Sequence, residues 1–442
     1  MKKSHYQYLL IGAGPAANSA ATTIRSLDPA GPLLLVGQEI NRPYHRPHLT
    51  RDYLLGHKRH QDLFLHDPSW YQSHRIDLRT HRRAAHLDTS RHSVTLDDGE
   101  EVSFDSLLLA TGAAPRPLTI PGSTLPNVFY LRTLEQADRL RHAIDHAHKQ
   151  NLPPKPTDRV PWVSPRPPKV AIIGSGLLGL ELSSTLTHLG LQVHLFSRDE
   201  YPLSKYLSDL PARSLSRYLE SQSVSLHLNS PLQSLTGDGR AQRLTLSTGD
   251  SFPCDLVIVA IGISPHKELL RNTPLRAERA ILTDDHCRTN LPSIYAAGDC
   301  AALFDPLFSK HRILDHWNSA LSTGSIAGAN MAGSTSTSYN EVSSFSTTIF
   351  NLTITSFGEP RLATRRLTRT HPDSSIPSFT EFSSDPTGRL VQITTTDSTP
   401  TTHTFLSTLL STRQSLQGQE EHLKDPTIPL NQIFPLYDLP HQ

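Results

Sequence analysis

Two short glycine-rich loops, about one domain apart, constrain this chain more than any other feature. The first, Gly12-Ala13-Gly14-Pro15-Ala16-Ala17, follows the apolar run Tyr8-Leu9-Leu10-Ile11. The second, Gly174-Ser175-Gly176-Leu177-Leu178-Gly179, follows Val170-Ala171-Ile172-Ile173. A strand, a tight turn and a helix start in that order leave unpaired backbone amides and a positive helix end facing a pyrophosphate. One such loop is a weak signal. Two of them, each backed by an amphipathic helix and a second strand, imply an α/β chain that holds two dinucleotides face to face.

Composition narrows the classes that remain. The chain has 442 residues, enough for two or three domains with separate cores. Its 42 basic and 41 acidic residues leave a formal charge of +1, so neither nucleic acid nor an anionic membrane is expected as a partner. The 24 histidines lie mostly in polar stretches such as 57–60 and 142–148 and read as solvated surface, with no metal site expected. Cys254, Cys287 and Cys300 include no Cys-x-x-Cys, which argues against a disulfide framework and against a redox-active dithiol. The start, Met1-Lys2-Lys3 before an apolar stretch, imitates a signal peptide, but that stretch is the strand of the first glycine loop. With no apolar run near the ~20 residues of a membrane span, a cytoplasmic, soluble protein is expected.

Strands and helices alternate through the first 130 residues: strand 6–11, helix 14–27, strand 32–37, then strands near 92–96 and 106–110. A polar helix at 134–149 leads into a proline-dense stretch, 152–168, that reads as an exposed connector. The second alternating unit begins at Lys169 and runs to Val257-Ile258-Val259-Ala260-Ile261-Gly262; a strand over 293–299 and a helix at about 316–332 follow. After Gly333 the chain becomes Ser/Thr-rich with strand-like alternation, as in 347–357, and is expected to form a separate α+β domain ending in a weakly structured tail.

In the first loop Ala17 stands at the third glycine position, a substitution compatible with FAD. Gln38 and Glu39 follow the second strand where a side chain can accept from ribose hydroxyls. Next comes Arg42-Pro43-Tyr44-His45-Arg46-Pro47-His48-Leu49-Thr50-Arg51, which resembles the Pro-Tyr-x-Arg-Pro-x-Leu-Ser-Lys signature of FAD-dependent ferredoxin reductases, a family that includes rubredoxin reductase and apoptosis-inducing factor. Trp70-Tyr71, Asp97-Asp98-Gly99, Leu108 to Arg116, Leu131-Arg132-Thr133, Ala297-Gly298-Asp299 and His316-Trp317 continue the resemblance in order. It covers roughly residues 6 to 360 of the sequence.

The resemblance implies a set of roles. Ala110-Thr111-Gly112 passes close to the flavin, and Ala84, Pro47 and Gly262 lie on the same cofactor side. Gly298 precedes Asp299, whose carboxylate accepts from the ribityl chain, and Arg46 and Arg116 meet flavin phosphate or carbonyl groups. The helix opening at His316-Trp317 aims its amides at the flavin pyrimidine. In the second unit Gly174, Gly176, Leu177 and Leu178 hold the nicotinamide dinucleotide, and Glu181 is the partner of the signature lysine, here Arg51, in the catalytic pair. An arginine stays charged there, so it supports reduced flavin electrostatically and is a poor proton donor. Ser197-Arg198, in place of the glutamate of NADH-specific relatives, implies that NADPH serves at least as well as NADH, although Asp199 and Glu200 stand where they could reach a ribose. Phe345-Ser346-Thr347 stands where relatives carry an aromatic-tryptophan pair, so the flavin's aromatic shield is absent or displaced.

These features imply an FAD domain from 1–118 and 262–333, an NAD(P)H domain over 119–261 and a C-terminal domain over 334–442. NAD(P)H would reduce FAD, and the electrons would pass to a ferredoxin or Rieske-type iron–sulfur protein, the enzyme being monomer or homodimer. Two alternatives stand beside this: an NAD(P)H oxidase or quinone reductase, and a redox sensor with little turnover.

Overall fold

The computed structural model describes residues 3–151, 166–334, 336–370, 376–397 and 399–435. All but the last three residues of the proline-rich connector expected over 152–168 lie outside the described residues.

The first glycine loop belongs to a seven-stranded sheet built around Lys3–Ile11. Leu33–Val36 and Glu101–Leu109 flank that strand in parallel, and Ile76–Arg79 extends the sheet beyond Leu33–Val36. Leu33–Val36 is buried at every position, as expected for a parallel strand covered on both faces. The far side of Glu101–Leu109 is shared. Ser93–Leu96 runs antiparallel to its first half, and Ile294–Ala296 runs parallel to Leu107–Leu109. Strand Ile294–Ala296 arrives from nearly two hundred residues away in sequence, and it sets Gly298-Asp299 beside the first loop.

The second loop sits on a five-stranded parallel sheet ordered Ser225–His227, Gln192–Phe196, Lys169–Ile173, Leu256–Val259, Val128–Phe129. Two short segments, Ala113–Pro115 and Ile263–Pro265, carry the chain between the two sheets and pair antiparallel with each other. Helix Leu134–Gln150 opens on a capping box, with Thr133 and Gln136 each satisfying the other's backbone amide.

Helix Pro15–Leu27 and helix Trp317–Met331 cross at very short range. A Cβ on Gly324 would lie 2.1 Å from the Ala16 carbonyl oxygen, and one on Gly328 would lie 2.5 Å from that of Ala20. Ser19 Oγ donates to the Leu321 carbonyl at 2.7 Å, and the Thr23 and Ser325 hydroxyls share a hydrogen bond at 2.9 Å. This crossing fixes the N-terminus of the second helix, and hence His316 and Trp317, beside the start of the first.

Residues after 340 form a five-stranded antiparallel sheet ordered Ser344–Ile349, Leu352–Gly358, Leu390–Thr395, Phe379–Ser384, Arg365–Thr370. The buried Arg312 side chain ties it to the first unit, bridging Asp305 and Glu359 and donating to the Gly358 carbonyl at 2.7 Å. The end of the chain, 436–442, where a weakly structured tail was expected, lies outside the described residues; the segment before it is ordered. Helices Pro400–Ser411, Glu420–Lys424 and Leu430–Ile433 bury Leu406, Leu409, Leu410, Leu423, Ile433 and Phe434 against this sheet. Among the described residues no helix is long and apolar enough to cross a membrane.

Candidate functional site

Both glycine loops open into one continuous cleft of about 1880 Å³, larger than the ~300–1,000 Å³ typical of a site for one small ligand. Nearly every residue expected to touch a cofactor lines it; Ala17, Arg51 and Arg116 do not. Ala17 is fully buried beneath the first loop. Arg116 is exposed, and its Nε donates to the Ile263 carbonyl at 2.9 Å, so it braces the crossing between the sheets.

The two loops use the same backbone device. Gly12 has φ +115°, and a Cβ there would meet the Ala110 carbonyl oxygen at 2.1 Å. Gly174 has φ +112°, and its Cβ would meet the Ala260 carbonyl oxygen at 2.4 Å. Only glycine fits such a φ and such an approach. Gly14 and Gly176 are the N-caps of their helices, and neither helix has a side-chain cap. A Cβ on either would meet nothing within 4 Å. Each helix therefore offers uncapped amides, a positive end and open space to an anion, which fits a dinucleotide pyrophosphate at both places.

Around the first loop the polar groups are paired. Arg46 forms an ion pair with Glu39 and donates to the Tyr44 hydroxyl at 3.0 Å and the Arg132 carbonyl at 2.8 Å; Tyr44 in turn donates to Glu39 at 2.6 Å. Glu39 is thus oriented at the end of the second strand, while Gln38 and Ile40 beside it are exposed. Asp299 pairs with Arg132, a residue that sequence reasoning passed over although it stands inside the motif Leu131-Arg132-Thr133. Gly298, at φ +73°, turns the chain so that Asp299 faces the cleft.

Around the second loop, Ser175 Oγ donates to Ser197 Oγ at 2.8 Å, and Ser197 Oγ also accepts from the Asp199 amide at 3.1 Å. Ser197 is buried under this network, whereas Arg198 and Asp199 are exposed at the cleft edge.

Glu181 is the point where three parts of the chain meet. Its carboxylate accepts from Thr50 Oγ1 at 2.9 Å and from Thr347 Oγ1 at 2.8 Å. Burial raises its pKa above the ordinary glutamate range, and the two hydroxyls and the Arg51 charge only partly oppose that. Arg51 does not pair with it: the guanidinium is exposed, outside the cleft. Thr50 and Arg51 are consecutive residues in a tight turn, so only one can face inward, and the hydroxyl does.

An aromatic wall completes the cleft. The Phe345 ring stacks on His316 at 4.4 Å between centroids and meets Tyr206 edge-on at 4.9 Å, while Trp317 stacks on His45 at 5.3 Å. Burial pushes the His316 pKa down, which keeps its ring neutral. Phe345 and these ring neighbours give the cleft an aromatic face at the segment where an aromatic-tryptophan pair was expected to be missing.

Cys254, Cys287 and Cys300 are all buried and unpaired, and burial pushes the Cys254 thiol up to about 12. They are inert by burial, and no disulfide borders the cleft. Among the described residues no three His, Cys, Asp or Glu side chains cluster as a metal site.

This geometry has close counterparts. The sequence profile described as pyridine nucleotide-disulphide oxidoreductase matches residues 6–324. The chain belongs to that family. It is 29% identical over 326 residues to the rubredoxin-NAD(+) reductase of Pseudomonas putida, covering 74% of this chain and 80% of that one. It is 31% identical to the rhodocoxin reductase of Rhodococcus erythropolis, covering 76% and 74%. Among solved structures, putidaredoxin reductase in its covalent complex with putidaredoxin matches with a TM-score of 0.86 at 23% identity, over 98% of this chain and 99% of that one. A ferredoxin reductase from Rhodopseudomonas palustris matches with a TM-score of 0.85 at 24% identity, over 96% and 99%. Both structural likenesses establish the mixed α/β fold with its two Rossmann-type units. This member is an oxidoreductase of the family without the disulfide of the family's title.

Proposed function

We propose that this protein is an FAD-dependent NAD(P)H reductase that passes electrons to a small iron–sulfur or rubredoxin-type carrier. The observation that carries the reading is one cleft joining two uncapped glycine loops, each shaped for a pyrophosphate, with no reactive cysteine beside them. FAD would be held by 1–118 and 262–333: Gly12, Gly14 and Pro15 at the pyrophosphate, Glu39 at the ribose, and Asp299 and Arg132 at the ribityl chain. The pyridine nucleotide would be held by 119–261 through Gly174, Gly176 and Ser197, and 334–442 closes the cleft with Phe345 and Thr347.

When bound, FAD supplies the conversion between two-electron hydride chemistry and single-electron transfer. The protein's part is placement and charge. The uncapped amides at Trp317 favour negative charge that develops in front of them, and Glu181, its pKa raised by burial, is held in place by the Thr50 and Thr347 hydroxyls. Arg198 at the cleft edge favours a 2′-phosphate, so NADPH is the preferred coenzyme. The chain's three cysteines cannot supply the four thiolates of a cluster, so the cluster belongs to a partner, a ferredoxin or Rieske-type protein.

The curated relatives named for rubredoxin and rhodocoxin support that choice of acceptor. The test begins with purified protein. It should be yellow, bleach anaerobically with NADPH, and reduce a ferredoxin faster than it reduces a quinone or dioxygen. Colourless protein that takes up no FAD would end the reading. Faster turnover with quinone would move it to a small-molecule acceptor.

A further inference from the structure

The segment Leu203–Leu207 lines the cleft through Leu203, Ser204, Lys205 and Tyr206, and its attachments come from two other parts of the chain. Leu203, Tyr206 and Leu207 are buried, whereas Ser204 and Lys205 are exposed on the cleft side. Leu203 adopts φ +54°, a left-handed conformation that is costly for a branched side chain. Its amide donates to the Ser175 carbonyl at 3.1 Å, which ties the strap to the second glycine loop.

The other end is held by the C-terminal sheet. Glu381, fully buried on Phe379–Ser384, accepts from the Ser208 amide at 3.0 Å and from the Ser208 hydroxyl. Ser208 is the N-cap of helix Asp209–Ser221 and does not cap it with its own side chain. A carboxylate from the C-terminal sheet therefore occupies the N-terminal end of this helix. Thr368 Oγ1 also donates to Glu381, at 2.9 Å, and Arg366 stands 3.7 Å away. One strand over, the buried Gln392 side chain donates to the Tyr206 carbonyl at 3.1 Å. What these contacts hold in place is Lys205. Its ammonium donates to the Tyr206 hydroxyl at 3.0 Å and has no carboxylate within ion-pair distance among the described residues.

We infer that the strap places Lys205 on a phosphate of the bound pyridine nucleotide, and that Glu381 is the positioning residue that sets the strap. The inference rests on the function proposed above. A lysine serves well as a compact charge on a phosphate, and the strap is bonded to the very loop whose uncapped amides suit the pyrophosphate. The strained Leu203 and the buried carboxylate explain each other: a costly backbone persists only where its surroundings over-determine it. The C-terminal domain thus acts on coenzyme binding without touching the coenzyme.

The test uses the flavin-loaded protein and five variants: Glu381→Ala, Glu381→Gln, Lys205→Met, the Glu381→Ala/Lys205→Met double variant and Ser208→Ala. Removing a hydrogen-bonded charge contact should raise the NADPH KM, and the NADP+ dissociation constant measured by flavin difference absorbance, by roughly tenfold. Flavin content and kcat at saturation should change little. Glu381→Gln, which keeps one acceptor for the Ser208 amide, should recover most of the affinity. Lys205→Met should flatten the salt dependence of KM, and the double variant should be scarcely weaker than Lys205→Met alone, because both changes remove one contact. Ser208→Ala, which removes only the hydroxyl, should give a smaller shift of the same kind and guards against misfolding of the alanine variant. Additive losses in the double variant, or a Glu381→Ala protein that melts earlier with unchanged NADP+ affinity, would overturn the inference. Wild-type protein that binds no flavin or pyridine nucleotide at all would instead sink the underlying function.

Discussion

Gly12 and Gly174 stand at matching places in the two loops, with nearly equal φ, and each lies against the carbonyl of the residue just past the end of the neighbouring parallel strand. Past that point the two units diverge. The first has Ala17 at its third position, and its helix is clasped by Trp317–Met331 through Gly324 and Gly328. Its polar residues are already paired, Arg46 with Glu39 and Arg132 with Asp299. The second keeps Gly179, where a Cβ would sit 1.9 Å from the Gly174 carbonyl oxygen. Its helix leans on the C-terminal strand Ser344–Ile349, and its charged groups Arg198 and Lys205 face the cleft without ion-pair partners among the described residues. Under the proposed function, the first loop suits a resident group and the second a coenzyme that enters and leaves. The difference lies in what packs behind each loop, since the loops themselves are nearly superposable in design.

The sharpest way to break that comparison is to place the same methyl group in each loop. Gly12→Ala forces a contact against a backbone carbonyl that cannot move, at a φ alanine rarely adopts, and costs about 3 kcal/mol or more locally. The expected protein is colourless. Gly174→Ala should instead stay yellow and fail to bleach with NADPH, so flavin absorbance per protein before and after reductant separates the two. Loss of colour in both would mean that the units are not independent. Next in size, Gly324→Val pushes the clasping helix off Ala16 and should lower stability by about 3 kcal/mol, with flavin released early in a denaturant titration. If NADPH affinity fell before flavin was lost, the clasp would belong to the wrong unit.

Arg198→Ala should reduce the NADPH-over-NADH ratio of kcat/KM by about tenfold, equivalent to roughly 1.4 kcal/mol. An unchanged ratio would remove the coenzyme assignment. The smallest effect concerns Glu181. Its folded pKa is raised, so the native state keeps a proton that the unfolded chain releases near pH ~4.3. Stability from this group is therefore full below the unfolded value and declines as pH rises through the folded one. Glu181→Gln keeps both threonine contacts and should erase that decline in a series of denaturant midpoints against pH; parallel curves for the two proteins would contradict it.

Much of this was legible from the chain because dinucleotide loops are local. A tight turn needs its glycines within a few residues, and an apolar strand announces itself before them. The site's pairings were less legible because they are not local. Arg132 and Asp299 are separated by 167 positions, and Arg132 drew no notice inside its own motif. Arg51 looked like the partner of Glu181 because a signature specifies order along the chain, not which of two adjacent turn residues points inward. Thr347 came from a strand whose register could not be read from alternation alone. The closing helices were missed for a different reason. The segment Pro400–Ser411 is dominated by Thr and Ser, yet Leu406, Leu409 and Leu410 recur at the spacing of one helix face and are buried. The signal was present and the composition hid it.

The paired crossing segments carry a consequence for how such a molecule can be assembled. Pro115 and Ile263 are direct partners in that two-stranded ribbon, so the excursion through the second sheet leaves and returns at neighbouring points, about 5 Å apart. A two-residue turn could span that gap. The half built on the second sheet is thus grafted onto the half built on the first like a branch on a single node, and one can be exchanged for a relative's without rethreading the trunk.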